Sequence, residues 1–83
     1  MYKIFVGGLS WDTDNESLSA FFDQCGEVVE AYVALDRNSK RSRGFGFVTF
    51  AHEEDMQEAL KYDGEYLDGR SIKVDVATER GQQ

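Results

Sequence analysis

Two spacings of apolar residues alternate along these 83 residues, a period of two and a period between three and four. The period-two stretches predict four strands. In the first, roughly Tyr2 to Val6, Ile4 and Val6 share one face while Lys3 and Phe5 share the other. The second, Val28 to Leu35, sets Ala31, Val33 and Leu35 against Glu30, Tyr32 and Ala34. In the third, Arg43 to Phe50, Phe45, Phe47 and Thr49 oppose Gly46, Val48 and Phe50. The fourth turns Ile72 and Val74 inward and Lys73, Asp75 and Ala77 outward. Two helices lie between them. Leu18, Phe21, Phe22 and Cys25 fall at i, i+3, i+4 and i+7, behind a Thr13-Asp14-Asn15-Glu16 capping box and ahead of Gly26 as a stop. Met56, Ala59 and Leu60 form a second stripe near Glu53 to Lys61, whose first-turn acids Glu53, Glu54 and Asp55 suit a helix N-terminus. Asp36 to Ser42 is a mobile polar loop, and Asp63-Gly64 and Asp68-Gly69 are turns.

The order β-α-β-β-α-β predicts an α+β fold of the split, ferredoxin-like kind. A four-stranded antiparallel sheet carries both helices on one face. Residues 1–83 make one domain, with the last few as a flexible tail. The helices then cover the aliphatic face, and the other face carries Phe5, Phe45 and Phe47 with Lys3 and Arg43 beside them. A strand buried on both faces would also hold three phenylalanines in six residues, but the first strand shows the same division independently. Bare rings flanked by bases suit the stacking of unpaired nucleobases and the holding of a phosphate backbone.

Composition supports a core and complicates the partner. Forty-one per cent hydrophobic residues suffice for a small domain, yet the net charge of −7 is the wrong sign for approaching a polyanion. The charge is segregated. Lys3, Arg37, Lys40, Arg41, Arg43, Lys73 and Arg80 accompany only Glu30, Asp36, Asp75 and Glu79, a local balance of +3. The other two bases face twelve acids, a balance of −10. That acidic helical side would suit a basic protein partner.

Other chemistry finds little footing. Cys25 is single and on the core stripe, so neither a disulfide nor a zinc cluster is expected, and a reducing compartment, nucleus or cytoplasm, is the natural setting. His52 has no companion ligand, Gly44-Phe45-Gly46 lies within a strand and does not extend to a dinucleotide fingerprint, and no nucleophile has a base beside it. No catalytic residue, metal site or cofactor is expected, nor a membrane span. Trp11 is expected to pack over a sheet edge.

Arg43 to Phe50 meets K/R-G-F/Y-G/A-F-V-x-F/Y at all eight places, and Ile4 to Leu9 resembles the shorter companion motif, with Gly8 where Asn is frequent. On these residues the chain is identified as a member of the RNA recognition motif (RRM) family. Phe5 to Trp11 and Arg41 to Phe50 resemble the hnRNP A/B and glycine-rich RNA-binding types, as does Leu67 to Asp75 the cold-inducible, glycine-rich group. Glu58 to Gly64 is closer to nucleolin-like and initiation-factor domains. The resemblance implies that Phe5 and Phe47 stack on neighbouring bases and Phe45 lies against sugars. Lys3 and Arg43 then meet phosphates, and Glu30, Tyr32, Lys73, Asp75, Ala77 and Arg80 rim the platform and reach base edges. It implies a monomeric, non-enzymatic binder of single-stranded RNA in mRNA processing, translation or RNA chaperoning. Single-stranded DNA binding and a protein-interaction role are the alternatives.

Overall fold

The structure, a computed structural model, describes residues 2–77. Its elements are β1 (Tyr2–Gly7), α1 (Asn15–Phe22) with a 3-10 turn Asp23–Cys25, β2 (Val28–Leu35), β3 (Ser42–Phe50), α2 (Glu53–Leu60), β4 (Tyr66–Leu67), β5 (Arg70–Ser71) and β6 (Lys73–Val76). β2, β3, β1 and β6 form an antiparallel sheet in that order, so the two motif-bearing strands are central. α1 packs on β2 and α2 across β1, β3 and β6. The expected architecture is present. The short ribbon β4–β5 is an addition, built around Asp68 and Gly69, both of positive φ.

The core follows from the two periods. Ile4 and Val6 of β1, Val33 of β2, Val48 and Phe50 of β3, and Val74 of β6 point to the helices and are buried. Leu18, Phe22, Met56 and Ala59 meet them, and the Phe22 and Phe50 rings approach edge to face at 6.4 Å. An edge-to-face pair adds about 0.5–1.5 kcal/mol beyond the area it buries. Cys25 is buried as expected, although it sits on the 3-10 turn rather than on α1.

Two local expectations are corrected. The α1 N-cap is Asp14, whose carboxylate accepts from Ser17 N at 2.8 Å while Ser17 Oγ accepts from Asp14 N at 3.0 Å. Thr13 is otherwise engaged: its hydroxyl donates to Asp68 Oδ2 at 2.7 Å and ties the start of α1 to the β4–β5 turn. Leu35 does not join the core, because a register shift between Val33 and Leu35 takes it off the inner face and leaves it 54 % exposed. The loop after β2 is held in a turn by hydrogen bonds. Asp36 N–H donates to Arg41 O, the Asp36 carboxylate accepts from Asn38 and Ser39 N–H, and Lys40 takes a positive φ of 67°. Gly26 does end the first helical segment, at φ 154°, and a side chain there would collide with the Asp55 carboxylate that accepts from Glu27 N–H.

Candidate nucleic-acid interface

Strand register places the expected residues in rows across the sheet face opposite the helices. Tyr32 pairs with Phe47, Phe47 with Phe5, and Phe5 with Asp75, so one row runs over all four strands. Adjacent strands are separated by about 4.8 Å, which sets the ring spacing before any side chain rotates. A second row runs from Glu30 through Thr49 to Lys3 and, by the Ala77 N–H bond to Lys3 O at 3.0 Å, to Ala77. A third joins Phe45, Gly7 and Lys73. Every proposed platform residue among the described ones is brought together on this face. Arg80 lies outside the described residues.

The rings form one connected surface. Phe5 stands 5.8 Å from Phe45 at 30° and 5.8 Å from Phe47 at 67°, and Tyr32 lies 5.6 Å from Phe47. They are half-buried rather than fully bared, because they shield one another. Gly7 is part of the geometry. A Cβ at that position would sit 2.8 Å from a Phe5 ring carbon, so the missing side chain lets the ring lie along the strand beside Phe45. The sequence motif did not announce this role.

Cations bracket the rings. Lys3 Nζ is 5.5 Å from the Phe47 centroid and Arg43 Cζ is 5.2 Å from the Phe45 centroid, both within cation–π range. Asp36 is held below the usual carboxylate range by the Ser39 hydrogen bonds first and by Arg43 last. Asp75 accepts from Val76 N–H at 2.8 Å through one oxygen, which leaves its other oxygen to accept from a ligand. Counting described residues only, the platform and its loop hold six bases, Lys3, Arg37, Lys40, Arg41, Arg43 and Lys73, against Glu30, Asp36 and Asp75.

Elsewhere the chemistry is structural. The Cys25 thiol is pushed up to about 11 by burial, with the Glu58 and Asp55 carboxylates adding to it. His52 stands 3.6 Å from Glu27 at the entry to α2. Among the described residues no group of three or more His, Cys, Asp or Glu could hold a metal ion, and no helix is long and apolar enough to cross a membrane. Trp11 departs from the expectation that it packs over a sheet edge: it is 66 % exposed.

A flat antiparallel sheet with both helices behind it and a ring-bearing, cation-flanked front defines a class of domain. Residues 4–73 match the RNA recognition motif family, and the chain belongs to it. It is 56% identical over 79 residues to "Glycine-rich RNA-binding protein 4, mitochondrial" of Arabidopsis thaliana, a match covering 94% of this chain and 58% of that protein. It is 51% identical over 80 residues to the "28 kDa ribonucleoprotein, chloroplastic" of Nicotiana sylvestris, covering 95% of this chain and 29% of that protein. The chain thus spans less than two thirds of either relative. Among solved structures, the second RRM domain of yeast poly(U)-binding protein superposes with a TM-score of 0.87 at 31% identity, covering 95% of this chain and 96% of that one. The relatives' names point to mitochondrion and chloroplast, and they lend no support to the expected nucleus or cytoplasm.

Proposed function

We propose that this domain binds single-stranded RNA on its sheet, in the service of mRNA processing, translation or RNA chaperoning. Two successive bases stack on Phe5 and Phe47, and a ribose rests on Phe45. The observation that carries this reading is the four-strand row Tyr32–Phe47–Phe5–Asp75, a continuous aromatic strip ending in a carboxylate. Lys3 lies over the Phe47 ring and Arg43 over the Phe45 ring, so a backbone linking stacked bases passes beside positive charge. Asp75, Glu30 and Lys73 offer acceptors and a donor to base edges, and with Tyr32 and Ala77 they set base preference.

Magnitudes divide the labour. Stacking contributes about 1–3 kcal/mol per base, so two bases and a sugar contact give roughly 3–6 kcal/mol, which alone is millimolar-to-micromolar binding. Polar contacts supply the remainder. Stacking does not tell ribose from deoxyribose, so discrimination against DNA rests on contacts to the 2′-hydroxyl.

The test is selection from random-sequence RNA and DNA pools, with the Phe5→Ala/Phe47→Ala double variant as control. The reading expects an RNA ligand that the intact domain retains and the double variant loses. Equal retention by a folded double variant contradicts it.

A further inference from the structure

The turn between β2 and β3 carries a hydroxyl that the sheet platform does not use. Residues 35–41 are exposed throughout, and Ser39 stands among them. Arg37 precedes it by two residues, and Lys40 and Arg41 follow it directly. Cations on both sides of an accessible serine suit a basophilic kinase, which reads its substrate by complementary charge. Ser42 and Ser71 also have cations beside them. However, Ser42 pairs with Leu35 inside β3 and is half-buried, and Ser71 pairs with Tyr66 in β5 and is followed by the buried Ile72. A kinase takes its substrate as an open segment, so of these three Ser39 is the one offered without breaking a ladder.

We propose that Ser39 is a phosphorylation site for a basophilic serine kinase, and that the phosphate weakens RNA binding by drawing Arg43 away from Phe45. The weakening rests on the sheet-binding reading, whereas the modification itself does not. In the transfer, Ser39 Oγ bonds to the γ-phosphorus of a nucleoside triphosphate and the bond from that phosphorus to the bridging oxygen breaks. The hydroxyl proton passes to the kinase's base, and the nucleoside diphosphate leaves. Geometry then decides where the new charge settles. Ser39 N–H donates to Asp36 Oδ2 at 2.8 Å, and Ser39 Oγ accepts from Arg41 N–H at 3.3 Å. A phosphate carrying about two negative charges is repelled by the Asp36 carboxylate, so the turn opens on that side. Opening also releases Lys40 from φ 67°, a conformation unfavourable to a lysine. Arg43 is the cation shared with the platform. Its guanidinium lies 5.2 Å from the Phe45 centroid, and it also helps to hold the Asp36 carboxyl below its usual range, after the hydrogen bonds from Ser39. A bidentate pair with a phosphate is stronger than a cation held over an exposed ring. The platform thus loses a cation and gains repulsion toward an RNA backbone.

Two measurements on the 83-residue chain test this. In the first, the folded protein is incubated with a purified basophilic serine kinase and ATP, and the phosphate is located by mass spectrometry. One phosphate on Ser39 is expected, and none in Ser39→Ala at that position. No incorporation, or incorporation at Ser42 or Ser71 instead, overturns the site. The second uses the chain made by chemical synthesis with phosphoserine at position 39. Its affinity for the RNA selected by the unmodified protein is expected to fall roughly 5- to 30-fold, the loss of one exposed charged contact. The log–log salt slope should become shallower by about 0.7, one phosphate contact on a single strand. Ser39→Ala adds no charge and should bind as the unmodified protein does. In Arg43→Ala the phosphate should weaken binding less, since the cation it captures is already gone. Undiminished binding by the phosphorylated chain, or the same loss with and without Arg43, overturns the regulation and leaves the platform standing. The platform reading fails separately, if a folded Phe5→Ala/Phe47→Ala variant binds that RNA as the unmodified chain does.

Discussion

At the scale of single residues, the account concerns where rings lie and what lets them lie there. Phe5→Ala or Phe47→Ala should each weaken RNA binding by about 1–3 kcal/mol, measured by titration, with melting temperature little changed because neither side chain belongs to the core. Gly7→Ala is a sharper test. The new methyl group displaces the far end of the Phe5 ring rather than backbone, so the protein should fold normally and bind RNA several-fold more weakly. Unchanged affinity would show that the lie of the Phe5 ring is unimportant. Cys25 makes a separate prediction. Its folded thiol ionises near 11 against 9.0 for an unhindered one, so its contribution to stability is complete below pH 9 and is lost as pH rises toward 11. Iodoacetamide at pH 8 should label it slowly in the native protein and rapidly in denaturant. Phe5, Phe45 and Phe47 were legible from strand alternation, but Gly7 was not, since a missing side chain leaves no mark in a hydrophobic pattern.

At the scale of elements, helix starts and strand edges are where local rules compete. Thr13 and Glu16 have the spacing of a capping box, as do Asp14 and Ser17 one residue later. Tertiary structure decides between them, because Asp68 takes the Thr13 hydroxyl. Asp14→Ala should therefore lower the melting temperature while Glu16→Ala leaves it unchanged. The Ser17 hydrogen bonds hold the Asp14 carboxyl below its usual range near 3.8. Its stabilisation is accordingly present above that value and lost as pH falls through the lower folded value, so the two variants should melt alike in strong acid. Along the edge strand β2, Asn15 Oδ1 accepts from Val33 N–H at 2.7 Å, next to the register shift that frees Leu35. Period two over Val28 to Leu35 hid that shift. A bulge inserts a residue without altering composition, so alternation alone assigned Leu35 to the core.

Taken whole, the molecule separates two electrostatic surfaces, and this division was readable from the sequence once the strands were placed. The antiparallel sheet with both helices behind it also followed from alternation and the order of the elements. The exposure of Trp11 did not, because it depends on how the loop between β1 and α1 lies on the sheet. Although the chain carries −7, the proposed interface is the basic side, so binding should weaken with salt at a log–log slope near −1.4 to −2.1 for about two or three phosphates. A slope several times steeper would make the loop cations, not the rings, the main source of affinity. The most direct measurement of the central claim is an amide chemical-shift map of the selected RNA titrated into the folded protein. Large shifts should centre on Phe5, Phe45 and Phe47 and extend to Tyr32 and Asp75, with the exposed flanks of α1 and α2 unmoved. Shifts concentrated on the helices, with β1 and β3 silent, would contradict it.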